Sequence, residues 1–245
     1  MTEKTAVILI NTGTPASPST GDVKRYLREF LTDARVITLP ALPRKALVHG
    51  IIAPFRAPKS AGLYRKVWTE KGSPLLWHTQ SMAKKLQTVL GSGYDVITGM
   101  RYGKPSLTDA LEMVEKENYR EVVLLPLFPQ YASSTTGSAL ELAMKLFAKQ
   151  NSLPAIRMVG QFYDNPGFIR SFAKKMKEHS LADYDHILFS YHSLPLSHLR
   201  ACHQGRDCTH FNCMDEINQH NAFCYHATCM ATTRLLAKEA GLSPG

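Results

Sequence analysis

AVILINTGTP, residues Ala6 to Pro15, decides the fold. Five apolar residues in a row, ended by Asn, Thr, Gly and Pro, read as a strand buried on both faces and closed by a turn. Strands of that kind belong to parallel sheets, so a helix should follow. TGDVKRYLREFL (Thr20–Leu31) supplies one, with Thr20 or Asp22 near its cap and Val23, Tyr26, Leu27 and Phe30 on one face. RVITLP reads as a short strand closed by proline. A loop rich in proline and basic residues then leads to LYRKVW, the turn EKGSPLL and the helix TQSMAKKLQTVL. YDVITGMRYG is a second long strand. SLTDALEMVEKEN follows as a helix opened by a capping box from Ser106 to Asp109. EVVLLPLFPQ is a third buried strand, and TTGSALELAMKLFAKQ opens another helix.

Strand, turn and helix in this alternation predict an α/β fold of right-handed β-α-β units, with helices on both faces of a parallel sheet. The pattern then restarts. NPGFIRSFAKKMKEH reads as a helix, and DHILFSYHSLP as a strand and turn like AVILINTGTP. Two similar halves are expected, residues 1–163 and 164–245, the second containing a cysteine-rich stretch over 202–229.

The 245 residues are 44% apolar and 20% charged, an ordinary globular composition. No run approaches the length of a membrane-spanning helix. The start, MTEKTAVILINTGTP, lacks the basic leader and cleavage site of a signal peptide. The expected location is cytoplasmic, free or peripheral to the inner membrane. A net charge of +9 invites thoughts of nucleic acid, yet the basic residues are scattered and no arginine-rich tract occurs. They read as solvated helix faces with a mild attraction for anions, a carboxylated substrate or a membrane surface being the alternatives, and no nucleic-acid partner is expected.

In an open α/β sheet, ligands bind beyond the carboxyl ends of the strands. The polar turns Asn11–Thr14, Arg101–Tyr102, Gln130–Thr136 and Ser190–Ser193 are all predicted there, around a cleft between the halves. His192 ends an apolar strand, where an imidazole can accept a proton or ligate a metal, or simply cap the strand. Ser190 and Ser193 flank it, but GxSxG is absent. Arg101 can bind a carboxylate through its planar fork and Tyr102 can stack on a flat ligand, unless both are structural. Neither GxGxxG nor a P-loop occurs, which argues against a nucleotide. TTGS either binds an anion or caps its helix.

LINTGTP with VKRYLREFLTDARVI, then YRKVWTEKGSPL, GMRYGKPSL, LPLFPQYASSTTGSALE and ILFSYHSLP, occur in that order over nearly the whole chain. In these segments the sequence resembles the ferrochelatase family, lyases that insert ferrous iron into a porphyrin in haem synthesis. The resemblance implies two Rossmann-like halves around a porphyrin cleft, with Fe²⁺ and protoporphyrin IX or coproporphyrin III as substrates. It puts the metal-site histidine of the S-x-H-[SG]-[LI]-P motif at His192. Substrate-facing positions fall on Thr12, Ser73, Arg101, Tyr102, Gln130 and Tyr131. Metal insertion requires removal of two pyrrole N–H protons, and a neutral imidazole fixed at a strand end can receive them. The alternatives are a non-catalytic porphyrin- or haem-binding protein of the same fold, or a cobalt or nickel chelatase for another tetrapyrrole. The family continues into a further segment carrying an acidic residue across the cleft from the histidine. Nothing here matches that acid, so the expectation is a C-terminally truncated chain.

All five cysteines lie between Cys202 and Cys229, in the spacing C-x5-C-x4-C-x10-C-x4-C, with His203, His210, His220 and His226 among them. Free thiols, zinc held by Cys₄ or Cys₃His, and an iron–sulfur cluster are all compatible with that pattern. Some bacterial ferrochelatases carry a [2Fe–2S] cluster on an insert after the histidine motif, and this segment occupies that place. The resemblance then suggests Cys208, Cys213, Cys224 and Cys229 as ligands, with Cys202 spare.

Overall fold

A computed structural model describes residues 2–242. The chain divides into two compact units. One runs to Leu127 and includes Ser133–Gly160; the other comprises Phe128–Ala132 and the residues from Gln161 onward.

The first unit is built on a four-stranded parallel sheet in the order β2-β1-β3-β4. Its strands are β1 (Thr2–Gly13), β2 (Tyr94–Tyr102), β3 (Tyr119–Pro126) and β4 (Ala155–Met158). β1 is the inner strand read from AVILINTGTP. Its Ala6, Ile8 and Ile10 point to one face, against Leu107, Leu111 and Val114 of α5 (Leu107–Glu117) and Ala139, Ala143 and Phe147 of α6 (Ser138–Phe147). Val7 and Leu9 point to the other face, against Ala83, Leu86 and Leu90 of α4 (Pro74–Leu90). Ile8, Leu9 and Ile10 are wholly buried, each contributing about 1.5–3 kcal/mol by area. The capping box of α5 is present, Ser106 Oγ accepting from Asp109 N at 3.0 Å while the Asp109 carboxylate accepts from Ser106 N at 3.3 Å.

α1 (Thr20–Leu31) takes its cap from Ser19, one residue before the expected Thr20. It buries Val23, Tyr26 and Leu27 as expected. Their partner is the stretch expected to be a loop. Residues 41–67 are helical: α2 (Ala41–Leu47), a π turn (Val48–Ile52) and α3 (Ala53–Val67). The prolines that suggested a loop fall largely where a helix tolerates them, Pro43 and Pro54 near helix starts, although Pro58 lies inside α3. Ala53, Ala57 and Ala61 form a fully buried small-residue stripe that lets α3 approach α1 closely.

Two expected strands do not form. RVITLP is a turn, because its backbone is used locally: Val36 N and Ile37 N donate to Asp33 O, and the Arg44 guanidinium is bonded to Thr32 O and Leu39 O. HILFSYH keeps a strand's period-two burial, with Ile187, Phe189 and Tyr191 half-buried and Leu188, Ser190 and His192 exposed. It makes no ladder, since the second unit has no strand to pair with it among the described residues. That unit is helical there, with α7 (Pro166–Lys177), α8 (Leu196–Cys202) and α9 (Tyr225–Ala240), and α7 packs on α9.

Gly13, at the end of β1, has φ +105°, and a Cβ placed there would stand 1.7 Å from the Tyr102 carbonyl oxygen. Only glycine allows β1 and β2 to meet at this point. Gly13→Ala should therefore cost more than about 4 kcal/mol in urea unfolding or abolish soluble expression. A variant within about 1 kcal/mol of the parent would show that the strand ends can separate freely.

Candidate functional site

Arg101 and Tyr102 end β2, and α1 runs into the turn that presents Asp33. The Asp33 side chain, only 8% exposed, gathers both of them. Arg101 Nη2 donates to Asp33 Oδ2 at 2.6 Å, Tyr102 Oη at 2.9 Å and Ser138 Oγ at 2.5 Å. Arg35 N donates to the other oxygen, Oδ1, at 2.7 Å. Arg101 Nε also reaches Ser138 Oγ at 2.7 Å, and the guanidinium lies over the Tyr102 ring. Burial works against ionisation of Asp33, but the hydrogen bonds from Ser138, Arg35 N and Tyr102, with the Arg101 charge, hold its carboxyl below the usual range. Tyr102 moves the other way, its hydroxyl pushed up chiefly by burial.

This placement differs from an open pair at a strand end. Tyr102 is 1% exposed and packs edge-on against Phe30 at 5.1 Å, so its ring faces the core. Arg101, 19% exposed along its side chain, already has a carboxylate in its fork. Asp33 and Ser138 were the residues missed. The only sequence signals were an acid just past the end of α1 and the serine of TTGS. TTGS stands at a helix start as expected: Ser133–Gly137 forms a π turn, Gly137 is the N-cap of α6 and Ser138 its first residue. Thr12 is half-buried, its N–H donating to Asn11 Oδ1 at 2.8 Å. Ser73 is buried at the N-cap of α4.

In the second unit α9 does the positioning. Thr232 accepts from Gln130 Nε2 at 2.9 Å and donates to Tyr163 O at 3.1 Å. The Thr233 and Tyr191 hydroxyls share a 2.9 Å hydrogen bond. Tyr131 packs edge-on against Phe223 at 6.0 Å. Gln130 and the residue before His192 are thus tied to adjacent threonines of one helix, while His192 itself is exposed.

The same helix begins in the cysteine module. α8 ends at Cys202, and a tight turn follows in which Arg200 O accepts from His203 N and Gly205 N. Fully buried Asn221 pins the next loop, donating to Phe211 O and Glu216 O, each at 2.9 Å, and accepting from Asn218 N at 2.7 Å. Cys224 then caps α9. These turns bring an imidazole nitrogen of His203 and the sulfurs of Cys208, Cys213 and Cys224 within 4.8 Å of one another. Leu199, Phe211, Ile217 and Ala227 pack around them. Burial pushes the Cys208 thiol up to about 11 and Cys213 to about 12, while a hydrogen bond from Cys202, first among several, draws Cys224 down to about 4. This group can hold a metal ion.

Cys229, expected as a ligand, stands outside the group. Five residues beyond Cys224 it lies about 7.5 Å further along the axis of α9 and on another face. Burial raises its thiol to about 11, against a hydrogen bond with Tyr225. His203, one of the four histidines of the segment, stands with Cys208, Cys213 and Cys224. The Cys202 thiol also stands beside this group, hydrogen-bonded to Cys224, so four thiols and one imidazole converge on the module.

A parallel sheet flanked by helices, polar groups beyond its carboxyl edge and a thiol module after a histidine loop define an α/β chain of the chelatase type. The family model described as Ferrochelatase matches residues 4–244. A protein from Legionella pneumophila (strain Corby) named ferrochelatase is 46% identical over 96% of this chain and 70% of its own length. One of the same name from Coxiella burnetii (strain Dugway 5J108-111) is 42% identical over 98% of this chain and 67% of its own length. The chain belongs to the ferrochelatase family, and its function is that of a ferrochelatase in haem synthesis.

Asp33→Asn should cost roughly 3–5 kcal/mol at neutral pH, because it leaves Arg101 without its charge partner. A carboxyl depressed in the folded state stabilises the fold fully above its unfolded value, about 3.9, and ceases to do so as pH falls through the lower folded value. The gap between parent and variant should therefore close below about pH 4 in denaturant titrations. A gap that stays constant down to pH 2 would remove Asp33 ionisation from the stability of this unit.

Proposed function

We propose that His192 serves metal insertion as the proton acceptor and the Fe²⁺-facing group, on a porphyrin carrying carboxylate side chains, protoporphyrin IX or coproporphyrin III. Two pyrrole N–H bonds break as four nitrogens take up Fe²⁺, and two protons leave. A neutral imidazole accepts one proton at a time and returns it to water. The observation that carries this reading is the position of His192 in SYHSLP: its ring is exposed to exchange protons, while Tyr191 beside it is tied to Thr233. Thr12, Ser73, Arg101, Gln130 and Tyr131 are proposed as the substrate-facing residues. Tyr102 and Asp33 stand behind Arg101 and fix its direction. The [2Fe–2S] assignment for the cysteine module is supported by the number of its thiols, Cys202 being hydrogen-bonded to Cys224 beside Cys208 and Cys213.

His192→Ala should lower kcat for metal insertion by at least about 10³-fold, within reach of a lost general base and metal contact, while porphyrin still binds in a fluorescence-quenching titration. Turnover within about tenfold of the parent would exclude His192 from proton transfer.

A peripheral membrane association is proposed as well, on one observation. Ile51, Phe55, Leu63 and Val67 are 57–78% exposed along the π turn and α3, and Leu42 on α2 is 84% exposed. This stripe lies opposite the buried Ala53, Ala57 and Ala61, and exposed Lys45, Arg56, Lys59, Arg65 and Lys66 accompany it. Apolar side chains beside lysine and arginine suit the surface of an anionic bilayer. Among the described residues no helix is long and apolar enough to cross one. The protein should sediment with phosphatidylglycerol vesicles and less with phosphatidylcholine, and Leu42→Ser with Phe55→Ser should weaken this at least about fivefold. Equal recovery of parent and variant in the supernatant would end this reading.

A further inference from the structure

We infer, on the role proposed for His192, that Tyr191 and Tyr225 are its positioning residues, through which the single helix α9 grips the main chain at two successive residues.

The segment around His192 needs such a grip. Asp185 to Leu194 lies in no helix and no strand, and among the described residues none of its backbone groups bonds to another backbone group. A chain without a ladder opens and shifts easily. Misplacing a reacting group by about 1 Å can cost on the order of 100-fold in rate. Side chains must therefore fix the residue that carries the imidazole.

α9 offers them one face. Tyr225, Cys229 and Thr233 recur every four residues and so line up along the helix. The Thr233 hydroxyl donates to Cys229 O at 3.1 Å. Its proton is thus engaged, so in the 2.9 Å contact between the two hydroxyls Tyr191 donates and Thr233 accepts. Two turns earlier on the same face, Tyr225 Oη accepts from the backbone N–H of His192 itself and is also hydrogen-bonded to the Cys229 thiol. A phenol has one proton to give, and accepting from His192 leaves that proton for the sulfur. Buried Cys229, outside the group of converging donors, thereby orients the Tyr225 hydroxyl. Neither tie uses an imidazole nitrogen, so the ring keeps its lone pair for a proton or for Fe²⁺.

The helix is itself a fixed reference. Thr232 accepts from Gln130 and donates to Tyr163 O, Lys177 Nζ donates to Glu239 O at 2.9 Å, and α7 packs along it. His192 is thus referred to the same element as Gln130.

The test combines backbone amide exchange in the full chain, followed by nuclear magnetic resonance, with steady-state kinetics of metal insertion. In Tyr225→Phe the His192 amide should exchange at least about tenfold faster while that of Leu236 in α9 keeps its parent rate, which separates a released backbone from an unfolded helix. In the same variant kcat should fall roughly 10- to 100-fold, with KM for porphyrin within about threefold of the parent. Tyr191→Phe and Thr233→Val should lower kcat in the same way, whereas Thr233→Ser, which keeps the hydroxyl, should retain it. In a His192→Ala background Tyr225→Phe should remove no further rate, because a residue acting through His192 has nothing left to position. An unchanged His192 exchange rate in Tyr225→Phe would overturn the inference, as would an equal loss of kcat with and without the His192 imidazole. Parent-like turnover of His192→Ala would sink the catalytic role of His192 instead, and the exchange rate alone would then decide whether Tyr225 holds its backbone.

Discussion

β1 is hydrogen-bonded on both edges and covered on both faces, and the first unit is arranged around that constraint. A strand buried in this way has no freedom of register, because a shift by one residue would exchange Val7 and Leu9 with Ile8 and Ile10 between two differently shaped cores. Its carboxyl end is therefore a fixed point. Gly13 meets Tyr102 across the ladder there, so the polar residues that close β1 and β2 arrive at one place by backbone geometry, before any side chain contributes. Asp33 adds the side-chain counterpart. Delivered by the end of α1, it ties the end of β2 to the start of α6 through Arg101, Tyr102 and Ser138.

The second unit achieves order by other means. Its described residues form no sheet, so nothing like the β1 ladder fixes positions. A single helix serves as the reference instead. α9 receives Gln130 and the Tyr163 carbonyl at Thr232, and Tyr191 at Thr233, while α7 packs along it. Its first turn is reached only through the cysteine module, whose loops are held by Asn221 and whose donors converge beside Cys224. Within it Cys213 Sγ meets His203 Nε2 at 3.3 Å and Cys208 Sγ meets Cys224 Sγ at 3.7 Å.

Where the sequence could be read, the signal was local. AVILINTGTP, YDVITGMRYG and EVVLLPLFPQ form β1, β2 and β3, since continuous apolar runs of that length have few alternatives. The capping box at Ser106 fixed the start of α5. The misreadings came from interactions distant in sequence. RVITLP has strand residues but spends its backbone on Asp33 and Arg44. Residues 41–62 look like a proline-rich loop until α1 offers a face for Ala53, Ala57 and Ala61. Arg101 and Tyr102 were visible as a strand-end pair, yet their burial depends on Asp33, 68 residues before Arg101. Among the cysteines, more than a turn of helix separates Cys229 from Cys224, while Cys208, Cys213 and Cys224 come together with His203 and with Cys202, which is hydrogen-bonded to Cys224.

The segment Ile187–His192 has the residues of a strand and no pairing partner among the described residues. Alternation survives because it is a property of an extended chain: the odd-numbered residues are half-buried and the even-numbered ones face water. Ladder hydrogen bonding does not survive, and the side-chain contact from Tyr191 to Thr233 helps to fix the backbone next to His192. Alternation then has a chemical consequence. With Tyr191 turned inward, His192 must point outward, so the same hydroxyl contact that holds the backbone also keeps the imidazole in solvent. A proton acceptor that must be reset after each transfer needs that access to water, and a metal-facing group needs a backbone that does not wander. In the role proposed for His192, Tyr191 and His192, as neighbours on opposite faces of an extended segment, would meet both requirements together.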